Sequence, residues 1–137
     1  MARGHWILKA DPDTYGFAHL LADRRTRWDG VRNAQAQGYL RAMRPGDDVL
    51  VYHSGAERAL VGLARVASAP YPEGGAGDPK AVAVDVEAVR ALPAPVPLAA
   101  IRATAGLATL GLVRQPRLSV MPVTAPQWAR LARLAGL

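Results

Sequence analysis

Apolar residues occur along this chain in short clusters, separated by polar segments or by segments rich in proline and glycine. Contiguous apolar residues, or apolar residues that alternate with polar ones, are typical of strands that face a core. Five strands are predicted on this basis, at residues 5–9, 48–53, 60–67, 82–86 and 118–123. Residues 54–58 have the length of a hairpin loop between the second and third of them.

Apolar residues at helical spacing predict helices at residues 14–23, at 34–44 and from 125 onward, with a further helical turn at 98–102. Asp13, Asn33 and Thr124 each precede one of the longer helices, where a side-chain oxygen can accept a hydrogen bond from the first turn. The last helix is expected to bury one apolar side, formed by Trp128, Leu131, Leu134 and Leu137.

Three segments are expected to lack regular structure. Residues 24–33 are polar and are predicted as a loop, residues 70–79 as an exposed, mobile loop, and residues 92–97 as a proline-rich crossing. The order of elements predicts an α+β fold in which helices flank a curved sheet or small barrel. The length of 137 residues fits a single domain, residues 1–137.

Composition narrows the function. The net charge is +6 and 15 of the 17 basic residues are arginine, which suits a polyanionic partner. An arginine bias also follows from GC-rich codons, so the charge alone does not establish a polyanionic partner. The chain has no cysteine, which excludes disulfides, thiolate catalysis and cysteine-ligated zinc. Neither a signal peptide nor a membrane span is predicted, so we expect a cytoplasmic protein, with association with the nucleoid as a second location.

Residues 24–33 carry the clearest functional pattern. Trp28 lies there among four arginines, which are Arg24, Arg25, Arg27 and Arg32. The indole offers a face on which a base can stack, and arginines can bind backbone phosphates. Asp29 and Asn33 can hydrogen-bond the edge of a planar ring. Together these residue types predict a site for nucleic acid or for a nucleobase.

No arrangement of residues predicts catalysis or a bound metal. Ser54 directly follows His53, and neighbours on a strand point to opposite faces, so the two do not form a dyad by themselves. His5, His19 and His53 lie on separate elements without metal-ligand spacing. No phosphate-binding loop or dinucleotide fingerprint is found. We therefore expect no enzyme activity and no cofactor.

Five segments resemble, in order and spacing, one known family. They are residues 6–12, 28–33, 51–54, 61–64 and 118–123. The block Trp-Asp-Gly-Val-Arg-Asn at 28–33 is the most specific, and the chain is similar to the EVE domain along nearly all its length. The resemblance implies a PUA-like fold, a small curved β-barrel flanked by helices, related to YTH and ASCH domains. It also implies a non-catalytic reader of modified bases.

By this resemblance Trp28 matches an aromatic residue that holds the base, and Lys9, Ala10 and Asp11 match a strand end that lines the same pocket. Asp29 and Gly30 would supply polar contacts. The pocket is predicted to comprise Trp6, Lys9, Ala10, Asp11, Trp28, Asp29, Gly30, Asn33, His53 and Ser54, with Arg24, Arg25, Arg27 and Arg32 on the nucleic-acid backbone. For Trp6 core packing, and for Asn33 helix capping, are open alternatives, and His53 is equally open to a role outside the pocket.

The favoured ligand is DNA that carries a modified cytosine, bound by a monomer, without a metal or a membrane. Modified RNA, including tRNA, is the alternative. Two interpretations of other kinds remain: an enzyme acting on nucleic acid or on a small molecule through Asp11, Lys9 or His53, and an interaction module whose charge reflects codon usage alone.

Overall fold

The computed structural model describes residues 3–74 and 79–137. Within those residues the strands are β1 His5–Ala10, β2 Arg25–Trp28, β3 Asp48–His53, β4 Ala59–Val66, β5 Tyr71–Pro72, β6 Val82–Pro97 and β7 Val120–Pro122. The helices are α1 Pro12–Tyr15, α2 Phe17–Asp23, α3 Ala34–Ala42, α4 Leu98–Ala103, α5 Gly111–Arg114 and α6 Ala125–Ala135. None of these helices has the length and apolar character needed to cross a membrane.

The strands form one curled, mixed sheet in the order β2-β6-β4-β3-β1-β7, with β5 paired to β6. Only the β1–β3 pair is parallel among the described strands, and its register sets Lys9 opposite Tyr52 and Ala10 opposite His53. Parallel pairing brings the carboxyl ends of β1 and β3 to the same edge of the sheet. Residues that follow β1 and β3 therefore lie close together, which positions the site described below.

The core lies between the curled sheet and the helices and is built mainly from aliphatic side chains. Ile7 and Leu8 of β1 are fully buried, as are Leu50 and Leu60 of the β3–β4 pair. The five predicted strands are confirmed, and so are the helix caps Asn33 and Thr124, which accept hydrogen bonds from the first turns of α3 and α6. The predicted α+β fold is therefore confirmed.

The first helical region differs from the prediction. Asp11, not Asp13, caps α1 by accepting a hydrogen bond from the Asp13 backbone N–H at 2.9 Å. Pro12 explains the shift, because proline favours the first helical position, and the residue directly before it, Asp11, is then the cap. Gly16 then separates α1 from α2, so the single helix predicted at 14–23 is two short helices.

The segment predicted as a polar loop contains strand β2. It forms an edge of the sheet and pairs with β6, with Trp28 opposite Val84. An edge strand of polar residues carries no apolar run, so its pairing depends on contacts with a strand more than fifty residues away.

The proline-rich segment 92–97 continues β6 instead of leaving the sheet. Between the pairs Gly62–Ala91 and Leu60–Val96 the register shifts, and Pro93 and Pro95 fall in that irregular stretch. Proline has no N–H to donate, and a bulge is where a sheet tolerates this loss.

Two further predictions need correction. In the segment predicted as an exposed loop, Tyr71–Pro72 pairs with β6 and Glu73 is buried, whereas residues 75–78 lie outside the described part of the chain. In α6 the buried apolar side chains are Leu131 and Ala135, and Leu134 is exposed, as is Leu137 beyond the helix. Leu131 and Ala135 lie one turn apart and share the buried face, and Leu134 lies at the edge of that face on the side away from Ala135.

Candidate functional site

A cavity of about 610 Å³ opens where the end of β1 meets β2 and the loop that follows it. Six residues that the sequence assigns to a pocket line it: Lys9, Ala10, Asp11, Trp28, Asp29 and Gly30. Sequence reasoning missed five further lining residues, which are Thr14, Tyr15, Thr26, Val31 and Ser119. The expected juxtaposition of Trp28 with Lys9 and Asp11 is thus present in the structure.

Trp28 forms part of the cavity wall. Side chains alternate across a strand, so Thr26 and Trp28 of β2 lie on one face, partly buried, while Arg25 and Arg27 are exposed. The Trp28 ring meets the Tyr15 ring edge-on, with centroids 6.5 Å apart and planes at 81°. The hydroxyl of Tyr15 donates to Asp23 at 2.8 Å and holds that ring in place. The cavity therefore has an aromatic wall whose parts support each other.

Lys9 brings a positive charge to the wall of the same cavity. Its ammonium donates to the carbonyl oxygen of Pro116 and lies 5.7 Å from the centre of the Tyr52 ring. Burial lowers the pKa of Lys9 below the usual range of a lysine, because the charged form loses contact with water. The side chain is thus fixed at its tip, where it can donate to a ligand.

The loop after β2 is held by Glu73, a residue of the segment predicted to be an exposed loop. The Glu73 carboxylate accepts from the backbone N–H of Gly30 at 2.6 Å and from Arg32 at 2.7 Å. The backbone carbonyl oxygen of Glu73 accepts from the guanidinium of Arg27. Gly30 has a φ of +75°, a conformation that favours glycine. One buried residue thereby holds Arg27, Gly30 and Arg32 of the cavity rim.

These contacts, first that of Gly30 and then that of Arg32, hold the pKa of Glu73 below its ordinary value of 4.5. A depressed pKa in the folded state means that the ionised carboxylate stabilises the loop above the unfolded value, and that this stabilisation is lost as pH falls through the folded value.

Removing the Glu73 carboxylate is expected to loosen the loop without unfolding the domain. Glu73→Ala removes both acceptor oxygens, whereas Glu73→Gln keeps an acceptor for Gly30 and loses only the charge-assisted bond to Arg32. Amide hydrogen exchange at Gly30 should accelerate most in the alanine variant, less in the glutamine variant and not at all in Glu87→Gln. Protection in the native protein should persist from pH 7 to 5 and fall only below about 4.5. Unchanged protection in Glu73→Ala would contradict this role.

Three of the four arginines predicted to contact phosphate have carboxylate partners. Arg25 pairs with Asp85 at 2.9 Å, and Arg32 pairs with Glu73 as described. Arg27 pairs with Asp29 at 3.1 Å. Arg24 has no ion pair within residues 3–74 and 79–137. Binding of phosphate by these arginines stays a prediction, and a phosphate would compete with an acid for three of them.

Trp6 and His53 do not line the cavity, which corrects their assignment to it. Trp6 is 8% exposed and its indole N–H donates to Asp47 at 2.9 Å within the core. His53 accepts from the Phe17 backbone N–H through Nε2 at 2.9 Å, and its Nδ1 lies 2.7 Å from Glu57. Because Nε2 accepts, Nδ1 carries the proton. Nε2 therefore holds the start of α2, and Nδ1 is used by Glu57 in the turn between β3 and β4.

Asn33 and Ser54 also lie outside the cavity wall. The Asn33 side chain accepts from the Ala36 backbone N–H at 3.0 Å, so its amide is used as a helix cap. The Ser54 hydroxyl donates to the carbonyl oxygen of Ala10 at 3.3 Å. Both residues support chain segments that lead into the cavity, and neither side chain faces it.

A family model for the EVE domain matches residues 4–134 of this chain. The chain belongs to the EVE domain family. This confirms the resemblance drawn from the sequence. Human thymocyte nuclear protein 1 is 31% identical to it over 88% of this chain and 68% of its own length.

Solved structures agree with the EVE assignment and confirm the PUA-like fold. A protein from Agrobacterium tumefaciens is 36% identical, with a TM-score of 0.93 over 98% of this chain and 94% of that chain. Human thymocyte nuclear protein 1, in complex with DNA containing 5-methylcytosine, is 28% identical, with a TM-score of 0.87 over 98% of both chains.

Proposed function

We propose that this EVE domain is a non-catalytic reader that binds a DNA strand and holds a modified cytosine in the cavity beside Trp28. The observation that carries the proposal is the cavity itself, which combines an aromatic wall with charged groups at its rim. The complex of the similar human protein with DNA containing 5-methylcytosine supports this choice of ligand.

The cavity has the size and surface that a base requires. Its volume of about 610 Å³ falls within the range of about 300–1,000 Å³ that is usual for small-molecule sites. A base taken out of a duplex loses a few kcal/mol of stacking and pairing. Stacking on one aromatic ring returns about 1–3 kcal/mol, so the Trp28 face offsets much of that loss.

Polar groups at the rim match the edge of cytosine. The exocyclic amine of cytosine donates hydrogen bonds, and the Asp29 carboxylate, about half exposed, can accept one. Lys9 can donate to the ring acceptors. The buried side chains of Ala10 and Val31 supply apolar wall for the C5 methyl group. A base with another edge would fail to make one of these contacts with Asp29 or Lys9, which is the basis of discrimination.

The test is a comparison of matched oligonucleotides. Dissociation constants are measured for strands that differ only at one position, with cytosine or 5-methylcytosine, as single-stranded DNA, double-stranded DNA and RNA. Tighter binding of methylated DNA, with quenching of tryptophan fluorescence that is lost in Trp28→Phe, is the expected result. Equal affinity for methylated and unmethylated strands of every type would refute the proposal, and a preference confined to RNA would assign the pocket to modified RNA.

A further inference from the structure

A second cavity lies next to the first, on the other side of Lys9. It has a volume of about 310 Å³ and is lined by residues that include Lys9, Tyr52, Ser54, Arg58, Arg102 and Pro116. Lys9 therefore belongs to the walls of both cavities. We call the second cavity the basic cleft, after Lys9, Arg58 and Arg102.

The two arginines of the basic cleft differ from those near Trp28. Both are exposed, and neither forms an ion pair within residues 3–74 and 79–137. Glu57 is the acid nearest in sequence and lines an adjoining hollow with them, and its carboxylate is directed to His53 at 2.7 Å. In the described part of the chain the basic cleft thus presents two arginines that form no ion pair, whereas Arg25, Arg27 and Arg32 each have a carboxylate partner.

The backbone that presents Arg58 is fixed in an uncommon conformation. Arg58 has a φ of +44°, in the left-handed region that residues other than glycine rarely adopt. The carbonyl oxygen of Arg58 accepts from the Leu98 backbone N–H at 2.8 Å, which ties the turn between β3 and β4 to the first residue of α4, the helix that carries Arg102 in its last turn. Such strain, held by the surrounding structure, is common at binding sites.

We infer that the basic cleft binds the backbone phosphates of the nucleic-acid strand whose base occupies the cavity beside Trp28. Lys9, at the boundary, would lie between the captured base and the neighbouring phosphate. Guanidinium groups suit this role because their planar N–H groups match phosphate oxygens in pairs. Contacts of this kind position a strand without reading its sequence. The inference rests on the proposed function, because it assigns the path of the same strand.

The test is the double variant Arg58→Gln/Arg102→Gln, compared with the charge-matched control Arg90→Gln/Arg133→Gln at exposed positions outside the cleft. The affinity of both variants for methylated and unmethylated oligonucleotides is measured between low and moderate salt. Each lost phosphate contact lowers the slope of log K against log salt by about 0.7–0.9. In the cleft variant, which lacks two such contacts, the slope of log K against log salt should therefore be smaller in magnitude by about 1.4–1.8. Both strands should bind more weakly by the same factor, and the preference for the methylated strand should be kept.

A slope equal to that of the control would overturn the cleft assignment while leaving the reader function standing, if the methylated strand is still preferred. A different result is that the native protein binds methylated and unmethylated strands equally, while the cleft variant shows the smaller salt slope. That result would support the cleft assignment and reject the reader function. Thermal melting checks that the variants fold. Arg102→Gln alone, at a residue of ordinary helical conformation, gives the same test at half the change in slope if the strained Arg58 position does not tolerate replacement.

Discussion

Replacing Trp28 with alanine is expected to weaken binding of a methylated oligonucleotide by about 1–3 kcal/mol, the range measured for removal of an aromatic ring that stacks on a base. This corresponds to a loss of roughly 5- to 150-fold in affinity. The preference for 5-methylcytosine should fall as well, because a base that is no longer held against the ring is presented less accurately to Lys9 and Asp29. Titration of methylated and unmethylated strands into the variant measures both effects.

The domain should stay folded in this experiment. The Trp28 ring is only partly buried, and the pairing of β2 with β6 uses the backbone at Trp28, not its side chain. Trp28→Phe is the matched variant, since it keeps an aromatic face of smaller area and should lose less affinity. Arg24→Gln controls for charge, because Arg24 does not line the cavity and its loss should weaken both strands equally. Full preference for the methylated strand in Trp28→Ala would return the tryptophan to a purely structural role.

The elements best predicted from the sequence are those whose signals come from residues close to each other along the chain. The strand at 48–53 and the cap Asn33 need only apolar runs and near neighbours, and both are found in the structure. Strand β2 and the burial of Glu73 depend instead on partners that are 40 or more residues away, so no local pattern shows them. The helix boundary at Asp11 was readable from Pro12, a signal that outweighs the acid at Asp13.

The same distinction applies to the site. Lys9 to Asp11 and Trp28 to Gly30 line one cavity, as the family resemblance predicts, because such a resemblance carries information about tertiary contacts that composition lacks. Trp6 and His53 are residue types that can bind a base, yet the indole N–H of Trp6 is used by Asp47. The two ring nitrogens of His53 are used by the Phe17 backbone N–H and by Glu57. Tyr15 and Ser119 line the cavity because the fold brings them there, and no pattern in the sequence near either residue indicates this.

Asp47 is expected to be the most sensitive position for stability. It is 5% exposed and its carboxylate accepts three hydrogen bonds, from the backbone N–H groups of Gly4 and Arg44 and from the indole of Trp6, at 2.9, 3.0 and 2.9 Å respectively. These contacts join the start of β1 to the turn before β3. Asp47→Ala leaves all three donors without this partner, and each buried donor left unpaired costs about 1–3 kcal/mol.

Because the two backbone donors are only partly buried and can recover water, the net loss for Asp47→Ala should be about 3 kcal/mol in the free energy of unfolding, or about 10 °C in Tm. Urea unfolding measures the first and calorimetry the second. Trp6→Phe removes the indole donor and part of a buried ring, and should cost about 2 kcal/mol. The two changes combined should cost less than their sum because they share one hydrogen bond. Folded samples of both variants should keep the native preference for methylated DNA, since neither side chain lines the cavity. A loss of that preference in Trp6→Phe, without a loss of stability, would show instead that Trp6 takes part in recognising the base.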